Sequence, residues 1–186
     1  MIHFEKVSFE QYYKDRTKVE TYLTEEEVRS EYDAIKLPKR ATTDSAGYDF
    51  FAPYTFSLIG THSDNAENLQ IHYELIPTGI RFVTDNKEVF LACVPRSGLG
   101  FRNGFALANT IGVIDSDYRG EWIAHIAYDE QGENYYGEEH LFKRGDRIIQ
   151  CLVVPINQES LDIVDYLDTT ERGEGGFGST DENTIV

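Results

Sequence analysis

Apolar positions along the chain follow two spacings, one helical and one of strands. In the first forty residues Val28, Tyr32 and Ile35 share a helical face. Ser8-Phe-Glu-Gln11 and Thr24-Glu-Glu-Glu27 match the capping-box pattern, in which a hydroxyl and a later acid or amide satisfy the first N–H groups of a helix. Pro38 closes this section, so residues 1–38 are expected to form a helical extension packed on or beside the core. From about Ser45 the period shortens to that of strands. Ile71, Tyr73 and Leu75 alternate with polar neighbours, and so do Trp122, Ala124, Ile126 and Tyr128. The denser apolar runs at residues 88–94 and 147–154 predict strands buried on both faces.

Turn signals punctuate these runs at Pro77-Thr-Gly79, Asp85-Asn86, Arg102-Asn-Gly104 and Lys143-Arg-Gly-Asp146. Many short strands without βαβ alternation predict an all-β sandwich or barrel over residues 39–168. The polar stretches 60–68 and 129–139 read as exposed loops or hairpin tips, and residues 160–167 as a short amphipathic turn. A Gly-rich tail, residues 169–186, completes the chain, and there is no internal repeat.

At 186 residues the length suits one domain, and 12 Tyr with 11 Phe argue for a packed interior. No stretch is apolar for long enough to span a bilayer, and the N-terminus lacks a signal-peptide layout, which together predict a cytoplasmic protein. The formal charge is −16, which argues against a sequence-independent grip on nucleic acid, since that requires a basic surface. A small phosphorylated substrate remains compatible, because a local cradle of amides and arginines can be positive within an acidic protein. Cys93 and Cys151 lie in apolar runs without metal-like spacing and read as buried free thiols. His3, His62, His72, His125 and His140 are scattered, which argues against a zinc site.

Asp115 is the sharpest candidate for chemistry. It follows Gly112-Val113-Ile114 and is expected at a strand end, partly buried, where a carboxylate can orient and deprotonate a water. Tyr118 and Arg119 add a ring and a cation nearby, and the Asn109 amide can read a base edge. Arg96, Ser97 and Gly98 present a guanidinium, a hydroxyl and an unhindered amide together, although an ordinary Ser-Gly turn has the same composition. Gln150 is a polar amide in an apolar strand and needs a partner. In the tail, Arg172 offers a phosphate fork, Phe177 a stacking face, Gly178 an open amide, and Ser179 and Thr180 hydroxyls. Composition alone also allows that tail to be a plain flexible end.

Taken together, the segments Ala46-Gly-Tyr-Asp49, Pro95-Arg-Ser-Gly98, Gly112-Val-Ile-Asp-Ser-Asp-Tyr118, Gly145-Asp-Arg-Ile-Ile-Gln150 and Arg172-Gly-Glu-Gly-Gly-Phe-Gly-Ser-Thr180 resemble, in order, the five motifs of the trimeric dUTPase family. The resemblance implies a jelly-roll-like β-barrel assembled as a homotrimer with shared interface sites. It implies dUTP hydrolysis to dUMP and pyrophosphate, which limits uracil incorporation into DNA and supplies dUMP for dTMP synthesis. Asp115 would activate the water. Asn109, Gly112, Val113 and Ile114 would read uracil, and Tyr118 would pack under the deoxyribose. Arg96, Ser97, Gly98 and Gln150 would hold phosphates, with Arg172, Phe177, Gly178, Ser179 and Thr180 as the lid. Mg2+ would arrive mainly on the triphosphate, with Asp49 acting on it through water or supporting the site indirectly.

The chain departs from the family pattern by the forty or so residues before its first motif and by longer polar loops. That extension would serve trimer packing or another protein. Two rivals follow: a dCTP deaminase of the same fold, and a regulatory protein that uses the fold to bind a partner.

Overall fold

The computed structural model describes residues 1–59, 72–128 and 139–175. Of the segments read above as polar loops, residues 60–68 and most of 129–139 lie outside that description, as does the tail beyond residue 175. The architecture is a jelly-roll-like all-β barrel carrying a pair of N-terminal helices.

The extension opens with a strand, β1 (Ile2–Lys6), where the sequence predicts helix. Its short run is pinned antiparallel to β5 (Ile80–Thr84), with Phe4 opposite Phe82. Helix α1 (Phe9–Val19) starts at Ser8, whose hydroxyl accepts the Gln11 amide. The return bond of a capping box is missing there, because the Gln11 side chain turns instead to Asp15. Helix α2 (Glu25–Asp33) has the complete box between Thr24 and Glu27. The two helices are tied by Arg16, which is 2% exposed. Its guanidinium donates to Glu31 at 2.8 and 3.2 Å, pairs with Glu20 at 3.1 Å and lies on the Tyr54 ring. Val7, Tyr12, Val28 and Ile35 join the main hydrophobic core, so the extension is part of the packed interior.

The barrel strands are β2 (Tyr48–Phe51), β3 (Phe56–Ile59), β4 (His72–Pro77), β5, β6 (Val89–Pro95), β7 (Phe105–Leu107), β8 (Gly112–Ile114), β9 (Ile123–Tyr128), β10 (Glu139–Phe142) and β11 (Arg147–Pro155). They form a four-stranded sheet β2-β11-β6-β8, a three-stranded sheet β4-β9-β7 and the pairs β10-β3 and β1-β5. Every register is antiparallel, as suits strands joined by short turns. Phe50, Leu91, Ile126, Phe142 and Ile149 fill the interior. Cys93 and Cys151 oppose each other on β6 and β11 as buried free thiols with Sγ atoms 2.7 Å apart.

Strand β9 keeps the predicted phase, with Ala124, Ile126 and Tyr128 buried. Strand β4 does not: Ile76 points inward, while Tyr73 and Leu75 are 52% and 47% exposed. Residues 160–167 also depart from the amphipathic turn expected of them. They form no helix or strand, and Leu161, Ile163, Tyr166 and Leu167 stand almost wholly exposed. No helix among the described residues is long and apolar enough to cross a membrane.

The turn Pro77-Thr78-Gly79 joins extension and barrel. The Val7 amide donates to the Gly79 carbonyl at 3.0 Å, and Thr78 Oγ1 donates to the Trp122 carbonyl at 2.6 Å. Gly79 has φ 70°, and a Cβ there would overlap Ile35 Cδ1. Gly79→Ala is therefore expected to cost about 2 kcal/mol or more, combining left-handed strain with overpacking. Chemical denaturation reads this directly; a loss under about 0.5 kcal/mol would show that Ile35 yields and that the turn is not a fixed joint.

Candidate active site

Two groups of polar side chains stand at different ends of the four-stranded sheet. The first is built on β8. Leaving β7, the chain crosses from one sheet to the other through residues 108–111, where the Thr110 amide donates to Leu107 and the Ile111 amide to the Asn109 carbonyl. Thr110 adopts φ 64°, a strained conformation for a β-branched residue. This tight crossover leaves Asn109 exposed. Gly112 then lies against the sheet, where a Cβ would come within 3.1 Å of Cys93 Cβ and 3.7 Å of Trp122 Nε1. Ile114 is buried and Val113 exposed, so β8 alternates as an edge strand paired only with β6.

Asp115 follows at the end of β8 as predicted, but it is exposed where partial burial was expected. The turn after it is closed by the Tyr118 amide donating to the Asp115 carbonyl at 3.2 Å. The Tyr118 hydroxyl donates to the Glu121 carbonyl at 3.0 Å, and its ring covers Gly120, where a Cβ would clash with it. A cleft of about 330 Å³ results, lined by Asn109, Gly112, Val113, Ile114, Asp115 and Tyr118, together with Glu121, Trp122 and Ile123.

The second group joins the segments around Asp49, Arg96 and Gln150. Arg96 ends β6 and caps the short helix α3 (Ser97–Asn103), so the expected Ser-Gly turn is the first turn of a helix. Asp49 is 7% exposed. Its Oδ1 accepts Arg96 Nε at 2.9 Å and its Oδ2 lies 3.5 Å from Arg147 Nη1, so both oxygens face guanidinium groups. Gln150 lies between Asp49 and Val94 in register. Its Nε2 donates to the Pro95 carbonyl at 3.3 Å, which supplies the partner its burial demands. Gly47 makes room for the same side chain, since a Cβ would sit 2.9 Å from Gln150 Oε1. At Gly98, by contrast, a Cβ would meet nothing within 4 Å, so no contact inside the chain calls for glycine there. Arg96 and Arg147 line a second cleft of about 290 Å³ with His140, whose imidazole burial holds below its ordinary range.

The register of β6 keeps the two groups apart. Ile114 opposes Leu91, which places Asp115 beside Phe90, six residues from Arg96 along β6. At about 3.3 Å per residue that separation is roughly 20 Å. Within one chain, the carboxylate and the phosphate-binding candidates do not meet. Arg172 is exposed and its Nε donates to the Gly175 carbonyl at 2.9 Å. Phe177, Gly178, Ser179 and Thr180 lie outside the described residues. Among the described residues no three His, Cys, Asp or Glu side chains are grouped to hold a metal ion.

Two residues were not assigned roles from sequence. Arg147 completes the clamp on Asp49, and its signal was a cation directly after the Gly145-Asp146 turn. Glu121 is 4% exposed at the back of the first cleft, with its carboxyl pushed up to about 8, chiefly by burial. Its signal was an acid directly before the inward-facing Trp122.

Comparison with known proteins places this geometry. The profile of the dUTPase family matches residues 33–181. A deoxyuridine 5'-triphosphate nucleotidohydrolase of Aeromonas hydrophila is 33% identical over 164 residues, covering 88% of this chain and 97% of that protein. The protein of the same name from Tolumonas auensis is 36% identical, covering 77% of this chain and 86% of its own. Among solved structures, the dUTPase of Staphylococcus bacteriophage 80alpha with dUpNHpp superposes with a TM-score of 0.66 over 97% of this chain and 98% of that one. At 20% identity that likeness speaks for the fold alone. A phage phi11 dUTPase whose description names a structural Mg(II) ion gives a TM-score of 0.62 at 17% identity, covering 91% of this chain and 99% of that one. The five motifs, the barrel and these relatives agree: the chain belongs to the dUTPase family and is a nucleotide hydrolase of that family.

Proposed function

We propose that this chain hydrolyses dUTP to dUMP and pyrophosphate, at sites completed by neighbouring copies in a homotrimer. The observation that carries the reading is the first cleft, which gathers Asn109, the β8 backbone, Asp115 and Tyr118 in one space of about 330 Å³. That volume suits a nucleoside, near the lower end of ligand pockets. As an edge strand, β8 keeps one row of backbone N–H and C=O groups for the edge of uracil. Asn109 adds paired donor and acceptor contacts, and the close backbone leaves no room for a 5-methyl group. Tyr118 packs under the deoxyribose and excludes a 2′-hydroxyl.

A water held by Asp115 gives up its proton to the carboxylate as its oxygen bonds to the α-phosphorus. The bond to the bridging oxygen breaks on the opposite side, releasing pyrophosphate. Arg96, Ser97, the Gly98 amide and Gln150 hold phosphate oxygens, and Arg172, Phe177, Gly178, Ser179 and Thr180 close over the nucleotide. Magnesium fits as a passenger on the triphosphate, because it keeps several waters and needs few protein ligands. Asp49, with both oxygens already facing guanidiniums, suits an indirect role through water or through its hold on Arg96. When bound, the ion supplies charge neutralisation as pyrophosphate leaves.

Three features support the trimer. Asp115 and Arg96 lie too far apart in one chain to act on one triphosphate. Tyr73, Leu75 and Ile123 form an exposed apolar face on the β4-β9 sheet. The exposed apolar segment at residues 161–167 finds no cover on its own chain.

Pyrophosphate release from dUTP, dTTP, UTP and dCTP tests the assignment. Release from dUTP is expected to exceed the others by at least about 100-fold. Comparable turnover of dTTP or UTP, or ammonia from dCTP, would sink it. Asp115→Asn and Arg96→Ala should each lower turnover by at least ~100-fold as single species. Co-assembled from equal amounts, the two variants are expected to recover about a quarter of wild-type turnover. About three in four random trimers are mixed, and each mixed trimer holds one complete site. No recovery in verified mixed trimers would place both residues in one chain's site.

A further inference from the structure

Glu121 has a buried carboxyl group with half of its hydrogen bonding unexplained. Its Oε1 accepts the Gly79 amide at 2.6 Å, while Oε2 is buried without a donor. A second carboxyl group faces it within hydrogen-bonding reach: Asp15 of α1, 6% exposed. Asp15 is well supplied with donors of its own. Lys18 Nζ reaches Oδ1 at 2.7 Å, and Gln11 Nε2 bonds to Oδ2. Two buried carboxylates side by side cannot both stay ionised, and one of the pair keeps a proton.

The donors decide which. Burial pushes Asp15 up, but Lys18 and Gln11 outweigh it and hold the group below the ordinary carboxylate range. Glu121 has only an amide to stabilise its charge, and burial with the Asp15 carboxylate beside it pushes it up to about 8. The other group facing it from α1 is the Tyr12 phenol, which burial keeps neutral. From the β4–β5 turn comes the Gly79 amide, and within its own segment the Tyr118 hydroxyl binds its carbonyl.

We propose that Glu121 is a neutral carboxylic acid that donates its Oε2 proton to Asp15, a proton-sharing latch that ties the N-terminal helices to the floor of the cleft. Glu121 is then a positioning residue. Its main chain anchors Tyr118 and its neighbour Trp122 lies beneath Gly112, so a shift of this segment disturbs both walls of the cleft. Only the effect on nucleotide affinity rests on the dUTP reading; the latch itself stands on the apo protein.

The sign of the pH effect follows from linkage. A carboxyl whose folded pKa is raised holds a proton that the unfolded chain releases. The latch is fully present below the ordinary carboxylate range, weakens as pH rises towards about 8, and is lost above it. Glu121→Gln mimics the latched state at every pH, since its amide donates to Asp15 while its oxygen accepts from Gly79.

The test uses the full-length protein between pH 6 and 8.5. Carbon-13 NMR of the glutamate carboxyl carbons should show one residue titrating near 8, absent from Glu121→Gln. Thermal melts should fall with pH in wild type more steeply than in Glu121→Gln. KM for dUTP should rise about threefold or more in wild type at nearly constant kcat, while the variant changes less than twofold. Titration of Glu121 in the ordinary carboxylate range, or a Glu121→Gln protein with the wild-type pH slope, would overturn the latch. The NMR and melting arms need no substrate, so a protein that failed to hydrolyse dUTP would still decide it.

Discussion

Strand β6 is hydrogen-bonded on both sides, and its two registers fix where the functional side chains lie. On one side β11 brings Gln150 level with Val94 and carries β2, with Asp49, beyond it. On the other, β8 runs back along β6 so that Gly112 opposes Cys93 and Asp115 leaves at the far end. A slip of one residue would turn every one of these side chains to the opposite face. Cys93 and Cys151, buried at the centre of this pairing, leave no room for such a slip, and Gly112 fits only because it lacks a side chain. The sheet therefore sets two chemistries at its two ends, and neither end can move independently of the core.

The N-terminal extension is bound into the same core. Arg16 is buried with Glu20, Glu31 and the Tyr54 ring, an arrangement that removes a cation from water and so requires nearly complete pairing. Its Nη1 lacks a partner, which limits how far the network offsets its own desolvation. The helices nevertheless hold a fixed place, because Val7, Tyr12, Val28 and Ile35 pack into the barrel. Through the Gly79 turn they reach the segment that follows Asp115. An extension placed this way supports the cleft from behind, which gives it a role without any second protein.

The sequence was most legible where local chemistry and long-range packing agree. The Thr24–Glu27 cap, the phase of β9 and the dense run of β6 required only local pattern, and the structure has all three. Reading failed where the deciding partner is distant. Ile2 and Phe4 alternate over too few residues to announce a strand, and β1 exists because β5 offers an edge. Tyr73 and Leu75 alternate correctly but face outward, since periodicity marks a face as apolar without saying what covers it. The same ambiguity explains residues 161–167, whose apolar side chains have no cover on their own chain, and Gly98, which nothing in its own chain constrains. The five motifs were legible as residues, but their division between two ends of one sheet is a matter of register.

That division has a chemical rationale. Asp49 shows what happens when a carboxylate and arginines share one end of the sheet: both of its oxygens are engaged by Arg96 and Arg147. A carboxylate so engaged is a poor base, because its lone pairs and charge already stabilise the cations. Asp115, roughly 20 Å away by register, escapes this fate and stays exposed to water. Two guanidiniums against one carboxylate also leave the phosphate end locally positive within a chain of formal charge −16. On the proposed reading, base and phosphate grip come together only across a subunit boundary, with the nucleotide between them. The triphosphate then occupies the arginines before they can neutralise the base, so separation within the chain preserves the reactivity that assembly puts to use.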